Sequence, residues 1–83
     1  MSWNLYLLEC SDGSFYTGIT NRLDERVAAH NSGQGAKYTR GRLPVKVLKT
    51  LDFPDRSSAS KAEATVKKLR KNRKLDYFSQ YAK

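Results

Sequence analysis

"LYLLECSDGSFYTG", residues 5–18, decides the fold of this chain. A run of large apolar residues, a turn-forming "SDGS" at 11–14 and a second apolar run predict a β-hairpin, with strands over 3–10 and 15–20. Tyr6 and Tyr16 flank the turn in places where Phe or Val would pack as well, and Gly18 interrupts the returning strand. Turn length fixes where the two phenols point, because side chains alternate across a strand. A two- or four-residue turn sets them on opposite faces. A three-residue turn at Asp12-Gly13-Ser14 pairs Cys10 with Tyr16 and Tyr6 with Thr20, and sets both phenols on one face. That is the expected register, with Gly18 keeping the strand surface open to whatever must approach it.

Outward from the hairpin, "NRLDERVAAHN" (21–31) reads as a helix capped near Thr20 or Asn21. Leu23, Val27 and His30 share one stripe of it, and Arg26 borders the stripe one turn before His30. "SGQGAKYTRGR" (32–42) is a glycine-rich basic loop. In 43–53, Val45, Val47 and Thr50–Leu51 alternate with lysines, which predicts a third strand with one solvated face. "PDRSS" is a break and cap; Ala59, Ala62, Val66 and Leu69 mark a second helix, with a capping box available to Ser60 and Glu63. "LDYFSQYAK" (75–83) predicts a short third helix packing Leu75, Phe78 and Tyr77. The order is ββαβαα, an α+β arrangement.

At 83 residues the chain is read as one domain, 1–83. Apolar residues make up 39%, enough for a core and too many for a disordered chain. The lone Cys10 lies in an apolar run, which suggests a buried thiol in a reducing compartment. The opening "MSWNLYLLEC" has no basic start, and no apolar run approaches the roughly 20 residues that span a bilayer. A cytoplasmic protein with no membrane partner is expected. Sixteen Lys and Arg against eight Asp and Glu give +8 and a pI near 9.9, the electrostatic footprint of a nucleic-acid binder.

"NLY" at 4–6, "YTG" at 16–18, Arg26, His30 and Glu63 follow one another in an order and spacing that resemble the GIY-YIG nuclease domain. The resemblance runs from about Leu5 to Leu69, with 70–83 as a basic, helical extension. "YTGITNRLDERVAAHNSGQGAKYTRGR" looks especially like the small stand-alone bacterial members. Both triplets are loose versions of the name, yet they retain the tyrosines and the second glycine. A late asparagine used by some members has Asn72 as its weak counterpart. The resemblance implies a three-stranded antiparallel sheet flanked by helices, and a metal-dependent endonuclease acting on DNA. It assigns Glu63 as ligand to Mg²⁺ or Mn²⁺, Arg26 to the scissile phosphate, and His30 to phosphate binding or proton transfer. Tyr16 or Tyr6 would position the attacking water and act as general base.

These residue types suit the chemistry. Phosphodiester hydrolysis needs a divalent metal, an oriented water, a proton acceptor and a cation near the developing charge. A free tyrosine has a pKa near 10, so deprotonating it at neutral pH costs about 4 kcal/mol without help. A metal and Arg26 would offset much of that; alternatively the phenol only relays a proton. For binding, the loop offers Lys37, Arg40 and Arg42 to phosphates and Tyr38 to an exposed base, and "KKLRKNRK" extends the surface through Lys67, Lys68, Arg70 and Lys71. Nothing resembles a base-reading module, so recognition by DNA structure, as in repair or recombination, is expected. Homodimerisation or a protein partner would supply what so short a chain lacks. Each residue alone also has a plainer account: strand aromatics, a solvated helix pair, a helix-end charge, a solvated basic face. The rival readings are a non-catalytic DNA- or RNA-binding module on the same fold, and an interaction protein whose basic face meets an acidic partner.

Overall fold

A computed structural model describes residues 2–81, and side chains through Gln80. The order is β1 (Trp3–Glu9), β2 (Phe15–Thr20), α1 (Leu23–Asn31), α2 (Lys37–Arg40), β3 (Lys46–Phe53), α3 (Arg56–Lys67) and α4 (Lys71–Tyr81). The sheet runs β2-β1-β3, antiparallel throughout, so the most apolar strand is central. Leu5, Tyr6, Leu7 and Leu8 are consequently buried on alternate faces, each fully. Leu5 and Leu7 pack with Ala62, Val66 and Phe78 from α3 and α4. Tyr6, Leu8 and Cys10 pack on the other face with Val45, Tyr16, Leu23 and Val27. Burial of one such side chain contributes about 1.5–3 kcal/mol, so these two clusters carry the fold.

The hairpin has the expected odd-length turn, displaced by one residue. Cys10 N donates to Ser14 O at 2.8 Å, closing Ser11-Asp12-Gly13 rather than Asp12-Gly13-Ser14. The register follows: Leu8 faces Tyr16 and Tyr6 faces Gly18, where Cys10–Tyr16 and Tyr6–Thr20 were expected. The slip is two residues in pairing, so both phenols still share a face. The Asp12 carboxylate selects this turn by accepting from the Ser14 amide at 3.0 Å.

Elsewhere the corrections lie at element ends. β3 starts at Lys46, and its pairing shifts between Leu7–Lys49 and Leu8–Val47, a bulge that breaks the expected alternation. Val47 is thereby turned outward and is 40% exposed, whereas Leu48 packs on the α3–α4 side. Val45 is buried ahead of the strand, its amide and carbonyl both held by the Asn31 side chain, at 2.7 and 3.2 Å. The cap of α3 is Asp55, which accepts from Ser58 N at 2.8 Å; Ser60 lies inside the helix and makes no capping box with Glu63. Thr20 Oγ1 accepts from the Arg22 amide at 3.0 Å just before α1. The "KYTR" of the glycine-rich loop forms the one-turn α2, and the last helix begins at Lys71, four residues before the expected start; its expected last residues, 82–83, lie outside the described residues. Among the described residues, no helix is long and apolar enough to cross a membrane.

Candidate active site

Tyr6 enters the second cluster from the central strand, and its phenol crosses over β2 at Gly18. A Cβ at Gly18 would sit 2.6 Å from Tyr6 Cζ and 3.0 Å from Cε2. The glycine therefore makes room for the tyrosine, where the sequence suggested an opening for an approaching group. The phenol meets His30 Nε2 at 3.1 Å. His30 is fully buried, and its Nδ1 lies 2.8 Å from Thr39 Oγ1. Thr39 donates in turn to Ala36 O at 3.0 Å. The Ala36 amide also donates toward Nδ1, at 3.4 Å. The network thus assigns Nε2 to the Tyr6 hydroxyl and Nδ1 to Thr39 and the Ala36 amide.

Electrostatics agree with that assignment. Burial, and then the Arg26 charge, push His30 below the usual imidazole range, so it stays neutral at neutral pH. Burial pushes the Tyr6 phenol up from 10.0, and the hydrogen-bonding influence of Arg26 only partly opposes it. Tyr6 is therefore a proton-holding phenol donor, poorly suited to the general-base role. Tyr16, half-buried, is the more accessible of the two. Its ring centre lies 6.4 Å from Tyr6, 5.2 Å from His30 and 5.9 Å from Tyr38. The half-buried Arg26 faces both phenols; its interaction with Tyr6, and less so with Tyr16, raises its own pKa further.

Glu63 comes from α3, on the other side of the sheet, and its charge is still felt at Tyr6. Its side chain is 23% exposed and pairs with Lys67 Nζ at 3.3 Å. Among the described residues no three of His, Cys, Asp and Glu cluster to hold a metal. The donor set is thus one carboxylate. That fits a hard cation such as Mg²⁺, which keeps most of its waters and takes substrate oxygens, and it does not fit an all-protein cage.

The remaining sequence-predicted residues divide. Lys37, Tyr38 and Arg40 lie on α2, with Tyr38 41% exposed. Arg42 is tied down at the surface: its guanidinium covers Tyr38 at 4.2 Å and pairs with Asp12 at 3.0 Å. Lys68, Arg70 and Lys71 are exposed around the α3–α4 joint. Sequence reading missed Thr39 and Gly35. A Cβ at Gly35 would lie 2.6 Å from His30 Cγ, so the second glycine of "SGQG" seats the imidazole. A glycine without a turn to make was the available signal.

The match to family models decides the relationship: residues 2–76 fit the GIY-YIG catalytic domain. The chain belongs to the GIY-YIG family. This is a nuclease family, and the nucleic-acid substrate class comes with it. A UPF0213 protein of Xanthomonas axonopodis pv. citri (strain 306) is 53% identical over 73 residues, covering 88% of this chain and 72% of that protein. Two solution NMR structures are similar to this GIY-YIG chain. A protein of E. faecalis has a TM-score of 0.65 at 44% identity, covering 100% of this chain and 92% of that one. The UPF0213 protein of Bacillus halodurans has a TM-score of 0.60 at 45% identity, covering 96% and 85%. The three-stranded antiparallel sheet with flanking helices is the fold expected of this GIY-YIG chain.

Proposed function

We propose that the chain is a metal-dependent endonuclease that hydrolyses phosphodiester bonds in DNA, directed by DNA structure of the kind met in repair and recombination. One observation carries the reading: Tyr6, Tyr16, Arg26 and His30 converge from three elements, with the Glu63 charge felt at Tyr6 from a fourth. A packing role needs no guanidinium facing two phenols.

In this reading Arg26 holds the scissile phosphate through its planar fork and meets the charge that develops on it. Tyr16, the accessible phenol, orients the attacking water. Tyr6 and His30 form a buried neutral pair, with Thr39 fixing the orientation of the imidazole ring. The pair sets the position of the Tyr6 oxygen beside Tyr16 and Arg26 and excludes water from beneath the site. Glu63 would hold Mg²⁺ or Mn²⁺, which supplies charge neutralisation and activation of water when bound.

The Lys67–Glu63 ion pair favours a second reading, a non-catalytic DNA- or RNA-binding module, since the carboxylate already has a cationic partner. Cleavage of end-labelled single-stranded, duplex and branched DNA at low salt with Mg²⁺ or Mn²⁺ separates the two. Wild type should cut, while Glu63→Ala, Arg26→Ala and Tyr16→Phe, purified in parallel and shown to be folded, should lose about a hundredfold or more. Equal behaviour of all four proteins would retire the nuclease in favour of the binding module.

A further inference from the structure

Next to the candidate site, along the outer edge of β2, the helices of the opposite sheet face bring cations to an aromatic wall. One hollow, of about 290 Å³, is bordered by Tyr16, Thr17, Tyr38, Lys67 and Lys74. A second, of about 460 Å³, is bordered by Arg70, Lys71, Asn72 and Leu75. Phe15 lines both and joins them into one track. Lys71 and Lys74 stand three residues apart on α4, hence on one face, and the Lys71 ammonium lies 4.7 Å from the Phe15 ring centre. Neither lysine has a carboxylate partner among the described residues. Thr17 also borders the first hollow, though its hydroxyl is buried beneath the surface.

We propose that this track receives an unpaired DNA strand where it leaves the scissile phosphate, a placement that rests on the nuclease reading above. The lining of the two hollows carries four cations, of which Lys67 is paired with Glu63, and no carboxylate of its own, which selects phosphates. Phe15, where the two hollows join, offers ring surface to a base or sugar, and only an unstacked strand can present its bases to it. A duplex keeps its bases stacked inside and would meet the lysines alone.

The test is binding without metal, in EDTA, of a short fluorescein-labelled oligodeoxythymidylate and of a labelled duplex, read by anisotropy across a salt series. Lys71→Met/Lys74→Met is compared with Lys49→Met/Lys61→Met, which removes the same charge from elsewhere. The first pair should weaken single-strand binding about tenfold and flatten the log–log salt slope by about 1.4, two phosphates at about 0.7 each. The control pair should cost less than about twofold, and Phe15→Leu, which keeps an apolar contact for the core, should weaken the single strand and leave the duplex unchanged. The track is overturned if Lys71→Met/Lys74→Met matches the control pair, or if Phe15→Leu weakens duplex and single strand alike. Cleavage by wild type and Glu63→Ala is scored separately. A selective loss of single-strand binding in a protein that never cuts keeps the track and removes the nuclease. Glu63-dependent cutting with unchanged binding does the reverse.

Discussion

Gly18 and His30 show how closely the candidate site is built into the core. A methyl group at Gly18 meets ring carbons of Tyr6, 2.6 and 3.0 Å away, not only its hydroxyl. Gly18→Ala should therefore cost about 1–3 kcal/mol in urea unfolding, and Tyr6→Phe should not rescue it, because the ring remains. The native imidazole is held neutral, whereas the unfolded chain protonates it as pH falls through about 6.5. The unfolded state then binds the extra proton, so this contribution to stability is complete above that pH and declines toward the lower native pKa. Thermal melts between about pH 8 and 5 should show wild type losing stability on acidification and His30→Gln losing much less. His30 is the single histidine of the chain, which makes the slope attributable.

At the scale of elements, local chemistry sets where helices begin. Asp55 caps α3 by accepting from the Ser58 amide and hydroxyl, and these contacts hold its carboxyl below the usual range. Asp55→Ala should lower the urea midpoint clearly, while Ser60→Ala, inside the helix, should leave it almost unchanged; the reverse result would restore the Ser60–Glu63 capping box. The hairpin, α1 and the apolar stripe of α3 were legible in the sequence because their patterns are local and periodic. The bulge in β3 was not, since Val47 and Leu48 exchange faces through pairing with a strand some forty residues away. Neither was α2, a single turn in glycine-rich sequence held by what Thr39 and Tyr38 touch. Strand parity set Tyr6 and Tyr16 on one face and helix spacing set Arg26 one turn before His30; that the two pairs meet came from the family resemblance. The Thr39 and Gly35 supports of His30 did not, because they arrive by a loop whose path no periodicity encodes.

For the whole molecule, the excess of eight positive charges sets how it meets nucleic acid. If about six phosphates are engaged, duplex affinity should fall with a log–log salt slope of about −5. A slope near zero in fluorescence anisotropy would instead point to an acidic protein partner. The sheet also divides the site's residues by what their loss does. Tyr6, Gly18 and His30 are core members, whereas Arg26 and Glu63 stand at the half-exposed margin. Selection for folding alone therefore protects the first three, and on the nuclease reading proposed above only selection for activity protects the other two. A lineage that gave up cutting DNA but kept a folded protein should shed Glu63 and Arg26 first, and it would go on displaying the tyrosine, the glycine and the histidine as relics of a chemistry it had lost.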